Sequence, residues 1–306
     1  MLKGIFFNIK DEDYFADPAL SRTDLKRLLE DPYKFWYYKY NKDALKQEET
    51  PAMKFGSALH CYILEGECVF NERYIVLEGG KRVSLDSQDF LSNEDDFELP
   101  KSKTSKTAFY KGDKIVISKK EFEKLAGMVK EVRENNIASN LFSNGMPEVA
   151  IFWTCKETGL NFKVKHDFLR ISRSVDYKTI SHLKQIRYHF DDYGYDIQAY
   201  MYLEAIKAIK PLLKEGANKW INEFIKAVDH NNFDFVFQEK EAPYLIDVVQ
   251  PTPDILENGK DKFDAAVAKY KACKTKFGEM PWREETMIKP ITLDDLPQSA
   301  QFINNF

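Results

Sequence analysis

Asp176, Tyr177 and Lys178 place a carboxylate and an ammonium two positions apart, and on a β-strand that spacing points both side chains to one face. Asp167 ends the preceding alternating run, Asn161–Asp167, and a turn at Arg170–Arg173 lets the two segments pair. Pairing would bring the Asp167 carboxylate beside that of Asp176. Two acidic groups forced together repel each other unless a cation lies between them. Mg²⁺ suits such a place, because it takes hard oxygen ligands, keeps several waters and bridges to phosphate oxygens. The backbone carbonyl of Tyr177, between the two side chains, is a further candidate ligand. Lys178 could then orient an attacking water and offset charge gathering on a phosphate in transit. The same D…DxK triple also suits a surface strand with an ordinary Asp–Lys pair, so spacing alone leaves both readings open.

Other residues could join that group. His60 stands on an otherwise apolar helix start (Leu59, Cys61, Tyr62, Ile63, Leu64), as a metal ligand or as a satisfied core histidine. Glu148 opens an apolar run, Glu148–Cys155, and could point toward the same cation or simply end a strand in solvent. Gln198 and Tyr202, four residues apart, share one helical face and could meet a substrate backbone or form the polar edge of a buried helix.

The elements that must position these residues follow from periodicity. Glu148–Cys155, Asn161–Asp167 and Ser174–Thr179 read as an antiparallel meander with a turn at Lys156–Gly159. Tyr193–Lys210 is helical, Phe233–Phe237 and Tyr244–Gln250 form a hairpin, and Asp261–Thr275 is a last helix. Upstream, Ser21 and Asp24 cap a helix that Asp31-Pro32 ends. The aromatic run Tyr33–Tyr40, interleaved with Lys34 and Lys39, then reads as a second helix burying an aromatic face, or as a surface that stacks bases. Pro51–Glu65 is a helix entered through Gly56 and Ser57, Phe70–Leu77 a strand, and Ser118–Asn135 an amphipathic helix. Helices, strands, helix, strands, helix predict an α/β fold with a central mixed sheet.

Composition bounds the rest. The 306 residues are 43% hydrophobic and 14% aromatic, ample for a packed core. No apolar run approaches the roughly 20 residues of a membrane span and no signal-peptide pattern opens the chain, so a soluble, cytoplasmic protein without membrane contact is expected. Cys61, Cys68, Cys155 and Cys273 are scattered without a CxxC pair, which speaks against zinc and disulfide frameworks. A net charge of −4 disfavours a nucleic-acid partner unless basic residues gather locally and carboxylates gather around a metal.

Taken in order, LSRTDLKRLLEDPYKFWYY, KFGSALHCYILE, PKSKTSKTAFYKGDKIVIS, EVAIFWTCKETGLNFKVKHDFL, SVDYKTI and YGYDIQAYMYLEAI cover roughly residues 20–250. They resemble the nuclease domain of RecE (exodeoxyribonuclease VIII) and its phage relatives. This is a branch of the PD-(D/E)XK superfamily, to which the RecB nuclease domain and lambda exonuclease also belong. The specific part is the combination G-x-x-L-H, then E…D…D-x-K, then Q-x-x-x-Y. The resemblance implies a restriction-endonuclease-like α/β core whose central mixed sheet is flanked by helices. It implies a single nuclease domain over 1–306, with a helical part at 1–65, a catalytic core at about 51–250 and a helix and tail at 251–306. It implies metal ligation by His60, Asp167, Asp176 and the Tyr177 carbonyl, with Glu148 as an additional acidic participant. Lys178 is implied as the catalytic lysine, and Gln198 and Tyr202 match the motif beyond the core. A histidine beside two carboxylates also lets Mn²⁺ substitute for Mg²⁺. Lys165-His166 precedes Asp167 where the family frequently has an arginine or proline; His166 is expected to face the other side of the sheet and is not counted as a ligand. Some related nucleases hold an iron–sulfur cluster with one early and three late cysteines; Cys273 alone cannot supply the late group, so no cluster is expected.

In function, the resemblance implies digestion of linear double-stranded DNA 5′ to 3′ from its ends. The 3′ overhangs would pass to a RecT-type annealing protein, and a homo-oligomeric ring would encircle the DNA. Lys101, Lys103, Lys106 and Arg187 are candidates for phosphate contacts or are solvated surface residues. Two other readings are a nuclease module of a repair or CRISPR-adaptation system and a DNA-end-binding protein with a degenerate site. The missing cysteine group disfavours the first, and the intact acidic and lysine set the second.

Overall fold

Local capping chemistry starts many of the helices. The computed structural model describes residues 1–7, 9–44, 50–78, 81–82, 97–98, 109–110, 113–213, 219–285 and 290–295. Strand β1 (Gly4–Phe7) and helix α1 (Asp11–Ala16) come first, in a stretch whose pattern marks neither. Ser21 then opens α2 (Arg22–Glu30): its hydroxyl accepts from the Asp24 N–H while Asp24 accepts from the Ser21 N–H at 2.8 Å. Asp31 ends α2 and caps α3 (Pro32–Tyr40), accepting from the N–H groups of Tyr33 and Lys34. Of the aromatics on α3 only Phe35 is wholly buried, with Trp36 and Tyr40 partly covered beside it.

Helix α4 (Pro51–His60) begins at the expected Pro51 and runs on through Gly56 and Ser57, because the Thr50 hydroxyl accepts from the Met53 N–H and proline fits the first turn. It runs into a π-helical turn at Cys61–Glu65, then α5 (Glu67–Arg73) and β2 (Tyr74–Glu78). The run Phe70–Leu77 is therefore half helix and half strand; Phe70 stacks between Tyr62 and Tyr74 at 4.7 and 4.9 Å. Short strands β3 (Lys81–Arg82), β4 (Phe97–Glu98) and β5 (Phe109–Tyr110) follow, and Lys101, Lys103 and Lys106 lie outside the described residues. Strand β6 (Ile115–Ser118) pairs parallel with β2. Ser118 and Glu121 make a second reciprocal cap for α6 (Lys119–Glu134), which buries Leu125, Met128, Val129 and Val132, and α7 (Asn136–Leu141) follows.

The predicted meander is present as β7 (Gly145–Thr154), β8 (Asn161–Arg170) and β9 (Ser174–Ile180). Helices α8 (Ile186–Asp192), α9 (Tyr195–Ile209) and α10 (Lys219–Ala227) lead to the predicted hairpin, β10 (Phe233–Glu239) and β11 (Ile246–Val249). Helix α11 (Pro253–Phe277) starts eight residues before the expected Asp261, with proline in its first turn.

The central sheet has six strands in the order β1-β7-β8-β9-β10-β11; only β9 and β10 run parallel, so it is mixed and mostly antiparallel. Helices cover both faces. Val149, Ile151, Trp153, Phe162 and Val164 pack with Ile197, Met201 and Ile206 of α9, and with Phe263 and Val267 of α11. On the opposite face Phe168, Val175, Tyr177 and Val236 pack with Leu59 of α4 and with Leu125 and Met128 of α6. Gly194 (φ 63°) turns the chain into α9 in the left-handed region, which glycine enters without a Cβ penalty. At Gly259 α11 crosses α9 so closely that a Cβ would lie 2.2 Å from the Asp196 carbonyl oxygen. Among the described residues no helix is long and apolar enough to cross a membrane.

Candidate active site

Strict alternation breaks in β7 and β8 at the same level. In β8, Phe162 and Val164 face α9, and so does Leu169, three positions after His166, while Phe168 packs under α4 and α6. In β7, Val149, Ile151 and Trp153 face α9, and so does Met146, three positions before Val149. The slip falls at Glu148, whose φ of 52° is uncommon for a residue with a Cβ, and at Asp167 across from it between the pairs Pro147↔Phe168 and Val149↔His166. Strand β9 pairs with β8 only at Phe168↔Val175 and Leu169↔Ser174, then stays with β10 for its whole length. The sheet therefore splits beside Asp167, and the Asp167 carboxylate accepts the Tyr177 N–H at 2.9 Å in place of a ladder bond.

Three side chains meet at the split. A nitrogen of His60 and one carboxylate oxygen each from Glu148 and Asp167 lie within 4.8 Å of one another, and His60 Nδ1 is 3.5 Å from Asp167 Oδ2. His60 arrives at the end of α4, its ring edge-on to Tyr177 at 5.3 Å. Asp176 stands outside this triangle, on the α9 side of the sheet. Its Oδ2 is 2.5 Å from Lys178 Nζ, and its Oδ1 accepts from Gln198 Nε2 at 2.5 Å. The Lys178 ammonium also lies over the Tyr195 ring at 5.6 Å.

The electrostatics favour a cation here. Burial pushes the Asp167 carboxyl up to about 6, and Glu148 adds to this, against the pull of Lys178, the Tyr177 N–H and Lys165. Burial also pushes Asp176 up to about 6, with the Asp167 charge next in weight and Lys178 opposing. Burial first, then Lys178, holds the His60 imidazole below its ordinary value, which keeps it neutral and able to donate a lone pair at neutral pH. Gln198 Oε1 is buried without a hydrogen-bond donor among the described residues. Two carboxyls whose charge is disfavoured, one neutral imidazole and spare oxygen lone pairs fit a divalent cation of the kind that takes oxygen and nitrogen ligands.

The other residues singled out in the sequence have definite places. Gln198 is buried on α9 and donates to Asp176 Oδ1. Tyr202, one turn on, packs against His166 at 4.8 Å and Phe233 at 5.8 Å. His166 faces α9, away from His60; Ser174 Oγ lies 2.7 Å from its Nδ1, and burial holds it down to about 3. Tyr177 lies between the two acidic groups, its hydroxyl donating to Gln238. Arg187 is exposed on α8, its guanidinium 4.7 Å over the Tyr188 ring, at a groove of about 650 Å³ between α8, β11 and α11. Sequence reasoning missed Lys165, whose Nζ is 2.5 Å from Glu148 Oε2 and 2.7 Å from Asp11 Oδ1. Its alternation with Asp167 on β8 was the available signal, but its partners come from β7 and from the unmarked helix α1.

Residues 21–285 match the model of one family, described as a PDDEXK-like domain of unknown function (DUF3799). A crystal structure of a candidate exonuclease from Eubacterium rectale has a similar fold, with a TM-score of 0.56 and 14% sequence identity over 95% of this chain and 98% of that one. No curated protein matches the sequence. The split sheet with its clustered carboxylates, histidine and D-x-K strand thus stands in a matched family and a shared fold, and the chain belongs to the PDDEXK-like domain family DUF3799, within the PD-(D/E)XK nuclease superfamily.

Proposed function

We propose that this protein is a metal-dependent exodeoxyribonuclease of the RecE type, digesting one strand of linear duplex DNA from its ends, 5′ to 3′. The observation that carries the reading is the meeting of His60, Glu148 and Asp167 within 4.8 Å beside the Asp176–Lys178 pair. His60, Glu148, Asp167, Asp176 and the Tyr177 carbonyl are the proposed holders of Mg²⁺, with Mn²⁺ able to replace it. When bound, the metal supplies Lewis-acid activation of water and of the scissile phosphate. Lys178 orients the attacking water and offsets charge on the phosphate oxygens as it grows. Gln198 fixes the Asp176 carboxylate through its 2.5 Å hydrogen bond, and Tyr202 supports that helix face against β8.

The exonuclease designation of the structural neighbour supports action from ends, and the ordered motif set supports the RecE type. The remainder of the reading is that the protein works in the cytoplasm as a homo-oligomeric ring. It hands 3′ overhangs to a RecT-type annealing partner, with Arg187 and Lys101, Lys103 and Lys106 on the DNA path. Linear duplex carrying a label at either the 5′ or the 3′ terminus of one strand tests the polarity. Early release of the 5′ label as mononucleotide, with the 3′ label retained in long single strands, is expected. First release of the 3′ label would reverse the polarity, and cutting of closed circles would make the protein an endonuclease.

A further inference from the structure

Lys165 on β8 is paired with one of the candidate metal donors, and it has two anionic partners of different character. Glu148 Oε2, 2.5 Å away, belongs to the donor triangle with His60 and Asp167. Asp11 Oδ1, 2.7 Å away, lies outside that triangle on α1, with 68% of its side chain exposed. Helix α1 is tied down independently of this contact. The neighbouring Lys163 on the same strand face donates to the main-chain carbonyls of Tyr14 at 2.6 Å and Asp17 at 2.8 Å, so Asp11 is presented to Lys165 from an anchored element.

A cation held by His60, Glu148 and Asp167 would share the Glu148 carboxylate with the Lys165 ammonium, and two positive charges on one carboxylate repel each other. We infer that Lys165 is a positioning residue, a built-in counter-ion that holds Glu148 in the metal-free site and passes to Asp11 when metal binds. This rests on the metal-site reading proposed above and extends it to two residues that touch no substrate. Lys165 keeps Glu148 from swinging away or repelling Asp167 while no metal is present. Asp11 gives the displaced ammonium a partner, so that metal binding does not strand a half-buried charge.

The two partners of Lys165 make opposite predictions, which a merely structural role would not. Mn²⁺ binding to the full-length protein is measured by calorimetry and by loss of the free-ion electron paramagnetic resonance signal, with no DNA present. Lys165→Met removes the competing charge and is expected to tighten Mn²⁺ binding, while Asp11→Asn removes the second partner and is expected to weaken it, each by roughly tenfold. Lys165→Arg, which keeps the charge, should stay near wild type. Metal-free Lys165→Met should melt below wild type and regain the difference on adding Mn²⁺. If Asp167→Asn weakens Mn²⁺ binding while Lys165→Met and Asp11→Asn leave it unmoved, or shift it in the same direction, the counter-ion role is overturned and the metal site stands. If the wild type binds no Mn²⁺, or Asp167→Asn binds as well as wild type, the metal-site reading falls and the counter-ion falls with it.

Discussion

Lys178→Met is expected to slow phosphodiester hydrolysis by at least about 10²-fold, the size of effect seen when one preorganised charge partner of a transition state is removed. The expectation follows from where the ammonium sits. It is 2.5 Å from Asp176 Oδ2, 21% exposed, and steadied over the Tyr195 ring, so it is neither a free surface lysine nor locked away from the split in the sheet. The substitution leaves His60, Glu148 and Asp167 in place and removes a positive charge from their neighbourhood. Metal binding should therefore persist or tighten while turnover falls. Single-turnover kinetics at saturating metal, read beside an Mn²⁺ isotherm for the same preparation, separate the two effects. A variant that retains wild-type turnover would remove Lys178 from the chemistry. A variant that loses both turnover and binding would make the lysine a structural residue of β9.

The second large effect is on stability and depends on pH. Asp167 and Asp176 have carboxyls raised from 3.8 to about 6 in the folded protein. Between those values the folded chain binds more protons than the unfolded one, so these groups make stability fall as pH rises from about 4 through 6 and stay low above it. A shift of about two units corresponds to roughly 3 kcal/mol for one carboxyl. Metal-free Asp176→Asn should accordingly be more stable than wild type at pH 8 by about 2–3 kcal/mol, and the gap should close as pH falls toward 4. A divalent cation removes the same cost in the wild type. Its stabilising effect on the melting temperature should be small at pH 5, where it must displace protons, and should reach a plateau above pH 7. Urea denaturation and thermal melts with EDTA or Mg²⁺ across that range check both statements. Equal stability of wild type and Asp176→Asn at pH 8 would mean that Asp176 carries no such cost.

Both effects rest on how much of the molecule its sequence expresses. The capping pairs Ser21–Asp24 and Ser118–Glu121 are local chemistry, and α2 and α6 start where those pairs put them. The meander and the β10–β11 hairpin were legible because alternation and turn residues are short-range properties. Strand β1 was not legible: its four residues are all half-buried, with no alternation, and it becomes a strand by pairing with β7 about 145 positions away. The start of α11 was missed because its first turns carry few apolar residues, while its proline start and the Gly259 contact with α9 are what extend it.

At the site the order was reversed, since residue identity was legible and geometry was not. His60, Glu148, Asp167, Asp176 and Lys178 could be named from type and spacing, with the family resemblance to join them. Their division was hidden, because Asp167 joins His60 and Glu148 on one side of the split while Asp176 joins Gln198 and Lys178 on the other. That division comes from a one-residue slip of alternation in two strands and from a positive φ at Glu148, neither of which a side-chain pattern reports. Lys165 was hidden for a related reason, as its meaning lies in Asp11 and Glu148, which the chain brings to it from elsewhere.

The central claim is that hydrolysis of DNA depends on a metal held at this split and on the Asp176–Lys178 strand. Its most direct test is incubation of purified protein with end-labelled linear duplex, with Mg²⁺ or with EDTA, beside Asp176→Ala. Nucleotide release by the wild type only with Mg²⁺, and none by Asp176→Ala under the same conditions, is the predicted result; equal degradation by the Asp176→Ala protein, or undiminished degradation in EDTA, would contradict it.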